Sequence, residues 1–239
     1  MNDEYLNWQE RTRQLLGQEK SERLEQARVL IVGLGGVGGY AAEMLVRAGI
    51  GHLTIVDADV VQASNINRQL CALHSTLGLP KVEVLATRFR DINPKISLDI
   101  RPLYLSEEMI PDILEQDQYD FIVDAIDTIA PKCSLIVEAY KHKIPIISSM
   151  GAGAKADVTK IQYADLWKTS NCGLSKAVRT RLKRLGFRQR VPVVFSSQQA
   201  DLKAIIPVNE QNKKSTTGTV SYMPAVFGCY LAQYVLLKL

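Results

Sequence analysis

Residues 28–39 read RVLIVGLGGVGG, a run of aliphatic residues followed by five glycines within seven positions. A glycine-rich turn between a strand and a helix exposes backbone N–H groups that can bind a phosphate group. Gly33, Gly35, Gly36 and Gly38 contain the GxGxxG spacing. In this pattern the first glycine permits a tight turn, the second lets a phosphate approach the backbone, and the last lets the helix pack on the strand. The segment therefore predicts a turn that binds the phosphates of a nucleotide.

Carboxylates follow at the position where a bound nucleotide would present its ribose. Asp57 ends the apolar run HLTIVD, 19 residues after Gly38, and Asp59 stands two residues further on. A carboxylate at the end of the second strand of such a fold accepts hydrogen bonds from ribose hydroxyls. We therefore assign both residues to nucleotide binding. Neither residue distinguishes a dinucleotide-dependent oxidoreductase from an enzyme that uses ATP.

The loop after these carboxylates favours a triphosphate. Its segment SNINRQ contains Asn65, Arg68 and Gln69, and Lys81 follows 12 residues after Gln69. Two cations beside a nucleotide suit a triphosphate, whose negative charge must be neutralised before it reacts. A dinucleotide cofactor presents only a pyrophosphate and needs an apolar slot for its nicotinamide ring, so these residues speak against an oxidoreductase. The alternative interpretation is that Arg68 and Lys81 are ordinary surface charges.

Two further carboxylates close the apolar run FIVDAID over residues 121–127. Asp124 and Asp127 are three residues apart, so they cannot both point to the same face of a strand. We expect Asp127 to lie in the loop, where it could hold Mg²⁺ between phosphates, and Asp124 to cap the helix that follows. Together with Arg68 and Lys81, Asp127 makes a site suited to attack on an α-phosphate.

Strands and helices must alternate to bring these residues to one place. We predict strands over residues 28–32, 52–57, 97–105, 121–127 and 144–150, with helices over 38–48, 81–93 and 131–141. Apolar strands that alternate with helices predict an α/β protein with a Rossmann-like, doubly wound, mainly parallel sheet. Ligands bind such sheets at the carboxyl ends of the strands. After residue 153 the segments VTKIQYADL and VPVVFSS predict a partly antiparallel extension, and the last residues predict a helix packed on the sheet.

Composition narrows the class of protein. The chain has 239 residues, a net charge of +4 and four cysteines without a CxxC pair. The absence of a CxxC pair excludes the common thiolate zinc motifs, and the wide spacing of the four cysteines gives no disulfide framework. This use of cysteine favours a reducing cytoplasm. Cys172 is the one cysteine in a polar segment, and a lone cysteine of this kind is more often incidental than nucleophilic. Residues 215–237 carry no formal charge, but their proline, glycine and hydroxyl content predicts a buried helix rather than a membrane span.

Five elements of the sequence, in order, resemble the adenylating domain of ubiquitin-activating-type enzymes, the ThiF-like superfamily. They are the GxGGxG turn, Asp57, the NxxRQ segment, Lys81 and the DxxD pair. The resemblance implies that ATP and Mg²⁺ are bound. It implies that Asn65, Arg68 and Lys81 contact the phosphates. It also implies that Asp57 binds the ribose and that Asp127 binds the magnesium ion. Arg68, Lys81 and Asp127 are therefore the expected catalytic residues.

The resemblance also has consequences for organisation. In this family an N-terminal arginine, here Arg13 or Arg11, reaches the ATP of a partner subunit, which implies a homodimer. We accordingly divide the chain into an N-terminal helical segment (1–27), an ATP-binding adenylating domain (28–153), and a substrate-facing extension with the C-terminal helix packed on the same domain (154–239).

A cluster of positive charge lies in that extension. Residues 176–190 contain seven cations and no acidic residue, more charge than the whole chain carries as a net value. Such a cluster attracts a polyanion through phosphate contacts, and Phe187 within it could stack on a base. The alternative interpretation is a solvated helix face. The seven cations are Lys176, Arg179, Arg181, Lys183, Arg184, Arg188 and Arg190.

Further segments spread over nearly the whole chain are GIGHLTIVDAD, NINRQLCAL, GLPKVEV, DAIDTIAPK and LSKAVRTRLKRLGF. In these segments the chain resembles the branch of this family that dehydrates a threonylcarbamoyl-modified adenosine next to the tRNA anticodon. The resemblance implies that the threonyl carboxylate is adenylated and then cyclised with loss of AMP. The main alternative is an adenylyltransferase that activates the C-terminal glycine of a small sulfur-carrier protein. Such enzymes commonly hold zinc through CxxC pairs, which this chain lacks. A non-catalytic partner in a sulfur relay is a further alternative, and a sulfur-relay partner of the enzyme itself also remains open.

Overall fold

A seven-stranded sheet lies between two layers of helices. The computed structural model describes residues 8–210 and 213–239, so the first seven residues of the helical segment predicted over 1–27 lie outside its described part. The described part of that segment forms two short helices, α1 (Glu10–Leu16) and α2 (Gln18–Gln26).

The order of the strands confirms the predicted sheet. The order is β3-β2-β1-β4-β5-β7-β6, and every neighbouring pair is parallel except β6 and β7. The connections change direction between β1 and β4, which opens a crevice at the carboxyl ends of these strands. We call this side of the sheet the carboxyl edge. The strands are β1 (Arg28–Val32), β2 (His52–Val56), β3 (Ser97–Arg101), β4 (Phe121–Asp124), β5 (Ile146–Ser149), β6 (Ile161–Asp165) and β7 (Pro192–Ser196).

The helices that follow these strands have local stop signals. The third helix ends before Gly49, whose φ of +95° suits glycine and ends a helix at low energetic cost. The fourth helix begins directly after Pro80 and ends before Asn93, which precedes a proline. The sequence did not predict the fifth helix or the antiparallel pair of β8 (Ile205–Glu210) and β9 (Lys213–Thr217). The helices are α3 (Gly38–Arg47), α4 (Lys81–Ile92), α5 (Ile110–Gln116), α6 (Ile129–Lys141), α7 (Gly173–Arg184) and α8 (Tyr222–Lys238).

Two hydrophobic clusters fill the space on either side of the sheet. In β1, Val29 and Ile31 belong to the cluster beneath α3, α4 and α8, whereas Leu30 and Val32 belong to the cluster beneath α5, α6 and α7. Both faces of the central strands are therefore buried, which is why they read as continuous apolar runs in the sequence.

The C-terminal helix packs on the helix that follows the glycine-rich turn. A Cβ atom at Gly228 of α8 would lie 2.6 Å from the carbonyl oxygen of Val37, so only glycine permits this close approach. The last residues form α8, which packs on α3 and also contacts β4, β5 and β7 of the sheet. Among the described residues, no helix combines the length and the apolar character needed to cross a bilayer.

Candidate active site

The glycine turn between β1 and α3 is tightly packed at both ends and open in the middle. Gly33 has a φ of +89°, and a Cβ there would lie 2.8 Å from the carbonyl oxygen of Ala125. A Cβ at Gly38 would lie 1.7 Å from the carbonyl oxygen of Gly33. At Gly35 the nearest atom to a Cβ is Nε2 of Gln69 at 3.8 Å. The first and last glycines thus permit packing, and the middle one leaves space above the backbone at the N-terminus of α3.

Asp57 is attached to this turn. Its carboxylate oxygens accept hydrogen bonds from the backbone N–H of Leu34 at 2.6 Å and of Asp59 at 2.8 Å. Burial raises the pKa of Asp57, and the nearby charge of Lys81 and these two hydrogen bonds oppose the rise. A carboxylate has about four lone-pair sites, so Asp57 can still accept hydrogen bonds from hydroxyl groups of a ligand.

Lys81 begins α4 beside these carboxylates. Its Nζ lies 2.6 Å from Oδ2 of Asp59, and its backbone N–H donates to the carbonyl oxygen of Asp59 at 3.0 Å. Lys81 is 3% exposed, whereas the side chain of Asp59 is 68% exposed. The ammonium group is therefore fixed at the crevice by a partner that solvent or a ligand can reach.

The loop between β2 and α4 packs against the glycine turn. Arg68 donates from Nη1 to the carbonyl oxygen of Ser64 at 2.8 Å and to Oδ1 of Asn67 at 2.9 Å. Asn65 is buried and accepts a hydrogen bond from the backbone N–H of Gln62 at 3.1 Å, which fixes the turn of this loop. The guanidinium group of Arg68 keeps further N–H donors for a phosphate.

Asp124 at the end of β4 has a different role from the one its sequence position predicts. The helix α6 begins after Thr128 and receives no side-chain cap, so the prediction that Asp124 caps this helix is wrong. Asp124 instead forms a fully buried ion pair with Lys132, at 2.9 Å. A carboxylate inside an apolar strand requires a charged partner, and that requirement was the signal by which Lys132 could have been found.

Asp127 lies exposed in the loop between β4 and α6. This agrees with its predicted place at the carboxyl edge. Among the described residues, no group of three or more His, Cys, Asp or Glu side chains could hold a metal ion.

Arg13 stands apart from the residues above. Its Nη2 lies 3.0 Å from Oε1 of Glu25, at the end of α2. A Cβ at Gly51, directly before β2, would lie 1.8 Å from the carbonyl oxygen of Glu25. Arg13 is thus near the amino ends of the strands, at the edge opposite the crevice, and does not join the site of its own chain.

The basic segment forms α7 and the turn after it, and the fold uses part of its charge. Arg179 donates to the carbonyl oxygens of Leu166 and Thr169 at 3.2 and 3.1 Å. Arg181 forms hydrogen bonds of 2.8 and 2.6 Å with both carboxylate oxygens of Glu107. Five cations of the segment are exposed: Lys176, Lys183, Arg184, Arg188 and Arg190.

Phe187 does not offer a face for stacking. It is 9% exposed, and its ring packs edge-on against Tyr140 at 5.1 Å between centroids. The prediction that Phe187 stacks on a base is therefore wrong. Cys172 also has a structural contact: it caps α7, and its Sγ accepts from the backbone N–H of Ser175 at 3.5 Å.

The helix α7 connects the two edges of the sheet. At its start, the Sγ of Cys172 would lie 3.5 Å from a Cβ on Gly151, which follows β5 at the carboxyl edge. At its end, Phe187 contacts Tyr140 in the last turn of α6, near the amino end of β5. A helix of 12 residues spans about 18 Å. Most of the exposed cations are thus remote from the crevice, with Lys176 nearest to it.

Comparisons with known proteins agree with this architecture. A model of the ThiF family matches residues 9–239. The tRNA threonylcarbamoyladenosine dehydratase of Bacillus subtilis (strain 168) is 37% identical over 232 residues, which cover 94% of this chain and 91% of the relative. The crystal structure of the Escherichia coli tRNA N6-threonylcarbamoyladenosine dehydratase in complex with ATP is similar with a TM-score of 0.88 and 33% identity, over 97% of this chain and 94% of that chain.

A second class of relative is similar over a shorter region. The molybdopterin-synthase adenylyltransferase of Escherichia coli (strain K12) is 33% identical over 144 residues, which cover 60% of this chain and 57% of the relative. The similarity to this class therefore leaves a large part of the chain without a counterpart.

Proposed function

The chain belongs to the ThiF family, and from this premise we propose that it is an ATP-dependent dehydratase of threonylcarbamoyladenosine in tRNA. The observation that carries the proposal is the extent of similarity. The dehydratase of Bacillus subtilis covers 94% of this chain, whereas the molybdopterin-synthase adenylyltransferase covers 60%. The dehydratase is thus similar over a much larger part of the chain, and this favours its substrate over a carrier protein.

In the first step, the threonyl carboxylate attacks the α-phosphate of ATP. A bond forms between a carboxylate oxygen and the α-phosphorus. The bond between the α-phosphorus and the oxygen that bridges to the β-phosphate breaks, and pyrophosphate leaves with that oxygen. The N-terminus of α3 and the open space at Gly35 suit the phosphates, and Asp57 suits the ribose. Arg68 and Lys81 stabilise the negative charge that grows during the displacement.

In the second step, a nitrogen of the carbamoyl linkage in the same side chain attacks the activated carbonyl. The nitrogen loses a proton, AMP leaves with one oxygen of the former carboxylate, and a five-membered ring closes. The net change in the nucleoside is the loss of one water. Because both reacting groups belong to one molecule, proximity supplies much of the rate, and no protein nucleophile is required.

The crevice fits a magnesium ion that arrives with ATP. Magnesium is usually bound by one or two carboxylates together with substrate phosphates, and Asp127 provides such a carboxylate at the carboxyl edge. The ion would neutralise the triphosphate and favour the departure of pyrophosphate. We assign Asp127 to this role, and Asn65, Gln69 and the glycines of the turn to the nucleotide.

Residues 154–239 supply the side that faces the RNA in this proposal. The exposed cations of α7 and of the turn after it contact tRNA phosphates, with the modified adenosine at the carboxyl edge and the rest of the anticodon arm along α7. The enzyme acts as a homodimer in which Arg13 serves the ATP site of the partner subunit. The location of Arg13 at the far edge supports this role, because Arg13 cannot reach its own site.

One assay tests the proposed reaction. The protein is incubated with ATP, Mg²⁺ and tRNA that carries threonylcarbamoyladenosine, and the nucleoside is weighed by mass spectrometry. We expect the loss of one water and the release of AMP and pyrophosphate. ATP–pyrophosphate exchange that requires a carrier protein and ignores tRNA would overturn the proposal and favour the adenylyltransferase.

A further inference from the structure

Beneath the crevice lies an ion pair that the mechanism above does not use. Asp124 and Lys132 are both fully buried, and Nζ of Lys132 lies 2.9 Å from Oδ2 of Asp124. The same carboxylate oxygen accepts a hydrogen bond of 2.5 Å from the hydroxyl of Ser148 in β5. A buried ion pair seldom stabilises a fold more than apolar residues of the same volume would, so stability alone is a weak reason for its presence.

The pair holds the backbone of the loop that carries Asp127. Oδ1 of Asp124 accepts a hydrogen bond from the backbone N–H of Ile126 at 3.0 Å, and Nζ of Lys132 donates to the carbonyl oxygen of Ile126 at 2.9 Å. Both backbone polar groups of Ile126 are thus bound by the charged pair. Ile126 directly precedes Asp127, so the direction in which the chain enters Asp127 depends on this pair.

The same loop contacts the glycine turn. The backbone N–H of Ala125 donates to the carbonyl oxygen of Val32 at 2.9 Å, and the carbonyl oxygen of Ala125 lies only 2.8 Å from where a Cβ on Gly33 would be. The pair therefore connects β4, β5 and α6 to residues 125–127, the loop that contacts the glycine turn and contains Asp127.

We infer that Asp124 and Lys132 are positioning residues for the reaction: they hold residues 125–127 against the glycine turn and so fix Asp127 relative to the phosphates of ATP. This inference rests on the proposed function, since that proposal gives Asp127 its magnesium ion. The pair makes no contact with substrate in this role. It acts through the backbone of Ile126.

The test replaces the whole network with apolar side chains of similar volume. Lys132→Met alone would leave the charge of Asp124 buried and unpaired, which is strongly destabilising. The variant Asp124→Leu/Lys132→Met/Ser148→Ala removes both charges and the hydroxyl together, and we expect it to fold. Lys141→Met is the matched control, because Lys141 lies in the last turn of the same helix and its side chain is 64% exposed.

Two measurements on each variant separate a positioning role from a structural one. Backbone hydrogen exchange of residues 125–127 is compared with that of β4, and the affinity for ATP is measured by calorimetry with Mg²⁺ and with EDTA. We expect the triple variant to exchange about tenfold faster in the loop than the unmodified protein, with β4 unchanged. We also expect it to keep its affinity for metal-free ATP and to lose most of the gain that Mg²⁺ gives.

An unchanged exchange rate in the loop of the folded triple variant would overturn the inference. An unchanged gain from Mg²⁺ would overturn it equally. If the unmodified protein itself shows no gain from Mg²⁺, the assignment of magnesium to Asp127 fails. The exchange rates then decide on the ion pair alone. Lys141→Met should match the unmodified protein in both measurements.

Discussion

The charged side chains of the crevice are already bound to groups of the protein. Lys81 pairs with Asp59, and Arg68 is held by Ser64 and Asn67. These contacts fix long side chains that would otherwise lose conformational entropy when a nucleotide binds. Because Asp59 is largely exposed, in the proposed function a phosphate oxygen replaces its carboxylate as the partner of Lys81 without leaving a buried charge unpaired.

A first prediction concerns two glycines of the turn. In Gly35→Ala the added methyl group meets no atom closer than 3.8 Å. We therefore expect the free energy of unfolding to stay within about 0.5 kcal/mol. We expect the dissociation constant for ATP to rise by about tenfold, because the methyl group occupies the path of a phosphate. Urea denaturation and calorimetry check the two values.

Gly38→Ala is the matched comparison for this prediction. Its Cβ would lie 1.7 Å from a backbone oxygen, so we expect a loss of stability of about 3 kcal/mol or more. Equal affinity of Gly35→Ala and the unmodified protein for ATP would show that no phosphate approaches the turn at this position.

At the level of elements, one buried carboxylate joins the helices on one face of the sheet. Glu43 of α3 accepts hydrogen bonds from Arg47 at 2.9 Å and from Arg88 of α4 at 2.5 Å. Burial of Glu43 raises its pKa, but the hydrogen bonds and charges of the two arginines outweigh burial, and the pKa lies below its ordinary value of 4.5. The helix α3, which follows the glycine turn, and the helix α4, which begins at Lys81, are therefore connected by charge as well as by packing.

A second prediction follows from this lowered pKa. A carboxyl group with a lowered pKa in the folded state contributes stability above its ordinary pKa and loses it as the pH falls through the folded-state pKa. We expect Glu43→Gln to lower the free energy of unfolding by about 2 kcal/mol near pH 7, since the half-exposed arginines are partly screened. The difference should shrink once the pH falls below the ordinary value of 4.5. Urea denaturation over a pH series measures it, and a difference independent of pH would contradict the charge-based explanation.

At the level of the whole molecule, the two edges of the sheet have different tasks in the proposed function. The carboxyl edge holds the nucleotide crevice and the start of α7. The opposite edge holds Arg13 and the end of α7, where Phe187 packs against Tyr140. A substrate that is long and negatively charged can extend from one edge to the other.

A third prediction tests the contact with RNA. Lys183, Arg184 and Arg188, all replaced by alanine, should weaken binding of tRNA and leave the affinity for ATP unchanged. The dependence of the affinity on salt should fall by about two to three in the logarithmic slope, one unit for each lost phosphate contact. Filter binding over a salt series measures this slope. Arg23, Arg90 and Lys95, replaced together, form the control, and an equal effect of both sets would remove the argument for a specific surface.

A fourth prediction tests the homodimer. Arg13→Ala and Lys81→Met should each abolish most ATP–pyrophosphate exchange. A mixture with exchanged subunits should recover about a quarter of the activity, because half of the dimers are mixed and each has one intact site. A mixture of Lys81→Met and Arg68→Ala is the control and should recover none, since both changes damage the site of their own chain. No recovery in the first mixture would show that Arg13 does not serve a partner.

The sequence by itself determined the sheet and the edge of the sheet at which the candidate site residues lie. The strand that ends before Gly33 and the strand that ends before Asp57 could both be located, because apolar runs and the turn residues that end them are local features of the sequence. The carboxyl ends of parallel strands lie at one edge of the sheet, so Asp57 and Asp127, which follow two of these strands, lie at the same edge. The antiparallel pair of β8 and β9 and the helix α5 were not predicted, because their sequence patterns are short and weakly periodic.

Only the tertiary structure decided which charges are available. Three cations look ordinary in the sequence but are bound in the fold. Lys132 pairs with the buried carboxylate of Asp124, Arg179 donates to the carbonyl oxygen of Leu166, and Arg181 pairs with Glu107. The ring of Phe187 likewise packs against Tyr140 and is not available to a ligand. Such pairings arise when helices pack on the sheet, and they follow from the burial of a charge or a ring that local sequence cannot reveal. The direction of α7 across the sheet, and with it the distance between the basic surface and the crevice, was fixed in the same way.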